Sequence, residues 1–146
     1  MDPFQLAKYL KRKFGQNVDV YQLIEHFNII LLELNTRDFI GGYRYIMRRR
    51  LIQVNQNLDE NLKRCVLWHE LGHALCHRTI DCYYMANNTR LRTNMYEVEA
   101  EQFAAEMLLP EHIDDALDGR NAQEIAAYYG VTANLVETKW GNNRIF

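Results

Sequence analysis

Apolar residues recur at helical spacing towards both ends of the chain and run together in short stretches between them. Asp2 and Pro3 open a first helix that Gly15 stops, and Asp19 with Gln22 starts a second carrying Val20, Leu23, Ile24 and Phe27. Ile29-Ile30-Leu31-Leu32 has no polar interruption and predicts a buried strand; further strands are expected near 40–47 and 51–54. Asn57, with Glu60 three positions on, forms a capping box for a long third helix, which no Pro or Gly interrupts before Gly72. Leu62, Cys65, Val66, His69, His73 and Cys76 then fall on one inward face. Residues 78–94, rich in Asn, Thr and Arg, read as a loop leading to a fourth helix from Tyr96. Short helices complete the chain. The pattern predicts an α+β fold, helices around a short sheet of about three strands.

Composition narrows the class. With 146 residues, 48% of them hydrophobic, the chain is long enough for one well-filled core and too short for two, so a single domain over 1–146 is expected. A net charge of -2 gives no general attraction for nucleic acid or an anionic membrane. No apolar run approaches the roughly 20 residues of a membrane span, and Met1-Asp2-Pro3-Phe4 does not begin a signal peptide, so a cytoplasmic location is expected. Cys65 and Cys76 lie on one helix about 16 Å apart, too far for a disulfide, and with Cys82 they read as reduced thiols.

The chemistry concentrates in His69-Glu70-Leu71-Gly72-His73. Residues four apart on a helix point the same way, so His69 and His73 can offer two imidazoles to one ion, while Glu70 can reach a water on that ion. This is the H-E-x-x-H pattern of zinc peptidases, in which the Glu is the general base. A catalytic zinc takes three protein ligands and keeps a position open. The long metzincin form would place Gly at position 76 and His at 79; Cys76 and Thr79 exclude it. A carboxylate from the next helix is the alternative. There Glu97 and Glu101 share a face, and Glu99 points roughly the opposite way. Glu97 is expected to be the third ligand, and Glu101, one turn on, to hydrogen-bond a ligand imidazole and fix its tautomer.

His69 to His73, followed by Glu97-Val98-Glu99-Ala100-Glu101-Gln102-Phe103-Ala104-Ala105-Glu106-Met107-Leu108-Leu109-Pro110, resembles the ImmA/IrrE family of metallopeptidases. That family pairs H-E-x-G-H with a helix reading roughly E-x-E-A-N-x-F-A-A-x-L-L-M-P. Glu101 stands where the family usually has Asn or Asp; a longer carboxylate there could orient a His or compete with Glu97 for the metal. The resemblance implies a small zincin-like domain, Zn2+ as cofactor and cleavage of a protein substrate. Members often cut a phage or mobile-element repressor, so the expected partner is a helix-turn-helix repressor.

Other features compete with that reading. His77, Tyr83, Tyr84 and Tyr96 are candidates for stabilising an oxyanion or touching substrate, although a polar residue such as His77 more often caps a helix end. An edge strand within 40–54 could hold an extended substrate by strand addition. Arg44, Arg48, Arg49 and Arg50 read as a solvated sheet edge. Residues 121–140 resemble a helix-turn-helix in pattern, but 132–140 holds one Lys and no Arg, so a packing pair is expected and direct nucleic-acid binding is not. A non-cleaving module that sequesters a regulator is the rival to the enzyme. An intact Glu70 argues against it, because a structural site needs no base.

Overall fold

The computed structural model describes residues 2–85 and 94–141. Helix α1 (Pro3–Phe14) is capped by Asp2 and α2 (Val20–His26) by Asp19, each carboxylate accepting from a backbone N–H two residues on. Strands β1 (Ile30–Leu34), β2 (Phe39–Ile46) and β3 (Arg49–Asn55) precede α3 (Glu60–Cys76). Strand β4 (Cys82–Met85) and α4 (Met95–Leu108) follow, then α5 (Ala122–Tyr129) and α6 (Ala133–Trp140). The architecture is α+β, as the apolar pattern predicts.

The sheet has four strands in the order β1-β3-β2-β4, with β1 parallel to β3 and the other pairs antiparallel. One face lies on α3. Tyr43, Ile52 and Val54 point into that layer and are fully buried. The β2–β3 hairpin closes through Met47 and Arg48, both at positive φ (51° and 62°), as a two-residue turn matched to strand twist requires. Arg48 and Arg49 are exposed there, whereas Arg50 donates to the Phe27 carbonyl at 2.7 Å and ties β3 to the end of α2.

Four sequence expectations need correction. The apolar run at 29–32 is not a buried strand: β1 is a sheet edge, with Ile30 and Leu32 36% and 43% exposed, while Ile29 and Leu31 turn to the core. The stretch 78–94 is not all loop, because β4 pairs with β2 through Tyr83↔Gly42 and Cys82↔Tyr43; residues 86–93 of that expected loop lie outside the described residues. Strands β2 and β3 occupy the interior of the sheet, so the substrate edge expected within 40–54 is absent there, and among the described residues the edges are β1 and β4. Finally, Asp59 rather than Asn57 caps α3, accepting from Leu62 N at 2.8 Å. Asn57 instead donates to Asn35 Oδ1 at 2.7 Å and pins the loop after β1.

Helix α4 packs along α3, with α1 and α6 against its other sides. Gly72 makes the α3–α4 approach close. A Cβ there would stand 3.1 Å from Ala100 Cα and 3.1 Å from Phe103 Cδ2. The C-terminal pair is capped by a full box between Asn121 and Glu124 and turns at Gly130 in the left-handed region (φ 68°). It packs inward through Ile125, Leu135, Val136 and Trp140, so α6 is committed to the core through its apolar face. No helix among the described residues is long and apolar enough to cross a membrane.

Candidate metal centre

The four-residue spacing on α3 sets His69 and His73 one turn apart, and the close packing at Gly72 brings the acidic stripe of α4 opposite them. The Nε2 atoms of His69 and His73 lie 2.8 and 3.2 Å from one oxygen, Glu97 Oε1. One ligand atom from each of the three residues lies within 4.8 Å of the others, an arrangement that could hold a metal ion. Both rings are buried, His69 at 2% and His73 at 0% exposure.

Each ring is held from behind through its other nitrogen. His69 Nδ1 is 2.9 Å from Glu101 Oε1, and the second oxygen of Glu101 accepts from the Asn134 amide on α6. His73 Nδ1 is 3.3 Å from His77 Nδ1, and His77 Nε2 is 2.7 Å from Glu99 Oε1. The structure thus sets Glu97 against the Nε2 atoms of both imidazoles and Glu101 against Nδ1 of His69.

Electrostatics follow from this crowding of carboxylates in a dry place. Burial opposes ionisation of Glu97, yet hydrogen bonds from His69 and His73 outweigh it and hold the carboxyl well below the usual range. Burial likewise disfavours a charged His69, but Glu101 and Glu97 outweigh it and hold the ring well above its ordinary value. His73 goes the other way, pushed down to about 4 by burial with only partial relief from Glu97. Burial lifts Glu70 to about 8, with the Glu97 and Glu101 charges adding to it.

Glu70 sits between α3 and the sheet, 1% exposed, with Oε2 facing Gly41 of β2. A Cβ at Gly41 would come within 3.3 Å of that oxygen and 2.5 Å of Val66 Cγ1, so only glycine lets β2 pass. The other oxygen, Oε1, is buried and has no hydrogen-bond partner among the described residues. Two imidazole nitrogens, a carboxylate oxygen and a neighbouring orphaned carboxylate oxygen suit a divalent cation carrying water. The donor chemistry fits a metal.

The remaining candidates separate. His77 is buried behind His73 and engaged through both nitrogens, away from the Nε2 atoms that meet Glu97. Tyr83 is 47% exposed on β4, one residue along from buried Cys82 and therefore on the opposite face of the strand. Tyr96 is 39% exposed and meets the His77 ring edge-on at 4.9 Å between centroids. The Tyr84 side chain lies outside the described residues. Glu99 does not point away from the site as its helical position suggests. His77 caps α3 in non-helical backbone (φ −131°, ψ 56°) and so reaches across to it. Asn134 and Gly41 carried no sequence signal, because each reaches the site only through tertiary packing. Nor did Cys82, whose buried thiol is pushed up to about 12 by burial and by the nearby Glu97 and Glu70 charges.

Comparison with known proteins agrees with this geometry. Residues 24–140 match the IrrE N-terminal-like domain of the M78 peptidases. A protein of Bacillus phage phi105, "Uncharacterized immunity region protein 2", is 34% identical over 122 residues, covering 82% of this chain and 77% of its own. "Metallopeptidase ImmA" of Bacillus subtilis (strain 168) is 30% identical over 105 residues, covering 66% of this chain and 61% of its own. With the metal-capable His69, His73 and Glu97 cluster inside the matched span, the chain belongs to the M78 peptidase family with an IrrE N-terminal-like domain, a family of metallopeptidases.

Proposed function

We propose that this chain is a zinc endopeptidase, with His69, His73 and Glu97 as metal ligands and Glu70 as general base. The observation that carries this is the convergence of both Nε2 atoms on Glu97 Oε1, beside a buried and unpartnered Glu70 oxygen. Two nitrogens and one oxygen match a catalytic zinc set that keeps a position open. When bound, zinc supplies Lewis acidity, lowering the pKa of its water to about 7 and polarising the scissile carbonyl.

The chain's own groups do the rest. Glu70 Oε1 accepts the proton of the attacking water and delivers it to the leaving amine nitrogen as the peptide bond breaks. Its low-dielectric pocket strengthens its interaction with the reacting atoms. Glu101 keeps the His69 ring oriented, with Nε2 towards the open side. Edge strand β4 supports an extended substrate by main-chain pairing, the role first expected of 40–54.

The substrate we infer is a helix-turn-helix repressor of a phage or mobile element. The name of the phage phi105 relative, an immunity region protein, supports that class. The test is co-incubation of zinc-loaded wild type and Glu70→Gln with any helix-turn-helix repressor found encoded beside this gene, read by mass spectrometry. Wild type should release a discrete fragment, while Glu70→Gln keeps zinc and loses about 10²–10⁴-fold in rate. A repressor bound equally by both proteins and cut by neither would instead identify a sequestering module.

A further inference from the structure

The helix-to-strand junction beyond α3 holds a buried histidine, paired with a carboxylate of α4, and peptide hydrolysis leaves both without a role. His77 is 8% exposed, with Nδ1 3.3 Å from His73 Nδ1 and Nε2 2.7 Å from Glu99 Oε1. We infer that His77 and Glu99 are positioning residues that fix the tautomer of His73, presenting its Nε2 to the metal; this rests on the zinc reading above.

The proton assignment is that of the metal-loaded site, in which His73 Nε2 would serve as a ligand instead of donating to Glu97. A carboxylate can only accept, so the 2.7 Å contact with Glu99 places the His77 proton on Nε2. The Nδ1 of a neutral His77 is then an acceptor, and it pairs with a His73 whose proton is on Nδ1. With its proton on Nδ1, neutral His73 has its lone pair on Nε2, the atom turned towards Glu97. The reverse assignment would put a proton on Nε2 and block coordination. Glu99 therefore acts on His73 through His77, two hydrogen bonds away.

His69 receives the same service from one carboxylate, since Glu101 accepts directly from its Nδ1. Helix geometry explains why His73 needs a longer route. Glu97 and Glu101 form one stripe of α4, whereas Tyr96, Glu99 and Phe103 form another along the flank facing the end of α3. His77 has left the helical backbone, and its ring bridges the gap to that second stripe while packing edge-on to Tyr96.

The experiment measures zinc affinity of the full chain by chelator competition for wild type, His77→Leu, Glu99→Gln and the double variant. His77→Leu should weaken zinc binding about 10–100-fold, the usual loss when a ligand histidine is deprived of its supporting hydrogen bond. Glu99→Gln should weaken it in the same direction, and should add nothing once His77 is gone. His77→Asn, whose amide oxygen can accept from His73 Nδ1–H, should recover part of the loss. A merely structural role would lower the melting temperature of the metal-free protein and leave zinc affinity alone. Nitrogen NMR of zinc-loaded wild type gives a readout free of mutation: the His77 proton should sit on Nε2 and the His73 proton on Nδ1. Affinity within about twofold of wild type in folded His77→Leu overturns the inference. So does a Glu99→Gln effect that persists without His77, or a His77 proton found on Nδ1. If His77→Leu fails to fold, Glu99→Gln and the NMR assignment decide. Wild type that binds no zinc would sink the zinc reading itself, a failure distinct from variants that bind as well as wild type.

Discussion

Glu97 and Glu101 are the same residue type one helical turn apart, and only their surroundings separate them. Glu97 places one oxygen against both Nε2 atoms, while Glu101 spends its oxygens on His69 Nδ1 and the Asn134 amide. In the proposed zinc site, Glu97→Gln would remove a ligand and Glu101→Gln only support, which is worth about 10–100-fold in metal affinity. Chelator competition should therefore rank Glu97→Gln as the weaker zinc binder, and the reverse order would exchange the two roles. The paired acids were legible in the sequence as a helical face. The sequence reading also expects Glu97 as the ligand and Glu101 as the supporter, although the i, i+4 spacing treats them alike and only the contacts separate them. Glu99 was misread for a related reason: an ideal helical wheel takes no account of a partner such as His77 that has left its own helix.

At the scale of elements, α3 and α4 are positioned by a glycine and started by a cap. Val at position 72 would drive a branched side chain into the Ala100 backbone, 3.1 Å from where its Cβ would stand. Gly72→Val should cost about 1–3 kcal/mol, as overpacking does, and should weaken zinc binding by moving Glu97 away from the histidines. Chemical denaturation and chelator competition read the two effects; lost stability with unaltered affinity would mean that the helix spacing does not set the site. The cap offers a sharper local test. Asp59 accepts from Leu62 N, so Asp59→Ala should cost about 1 kcal/mol of stability in denaturant titration, and more than Asn57→Ala. The sequence shows both candidates two residues apart, and the choice between them turned on where β3 ends. Asn57 is held by Asn35 in the preceding loop, which leaves Asp59 to meet the first free amides.

Across the whole molecule the C-terminal pair is part of the architecture of the site. Ile125, Leu135, Val136 and Trp140 are each at most 6% exposed, and Asn134 of α6 holds the carboxylate that holds His69. Burying each large apolar side chain contributes about 1.5–3 kcal/mol, so their combined loss rivals the ~5–15 kcal/mol that keeps a domain folded. Ending the chain after Arg120 should therefore abolish cooperative unfolding and zinc binding. Circular dichroism on that truncated chain checks it, and a fragment that melts cooperatively would show a pair that packs on the core without supporting it. This also accounts for the helix-turn-helix pattern in the sequence: Ala126, Gly130 and Val136 satisfy the packing of two short helices across a tight turn, whatever the pair then rests on.

The sequence alone determined what depends on near neighbours. Helical periodicity and caps set α1, α2 and the two helices that carry the site, and the four-residue spacing put His69 beside His73, with Glu70 next in sequence. What depends on distant partners was decided only by the tertiary structure. Strand β4 exists because β2 has a side free for it to pair with, and β1 is an edge because nothing pairs beyond it among the described residues. Glu101 has a role distinct from Glu97 because α6, 33 positions further along, supplies Asn134. Hydrogen bonds across such separations leave no periodic trace in the chain, since they follow from how helices and sheet stack rather than from the order of residues within any one of them.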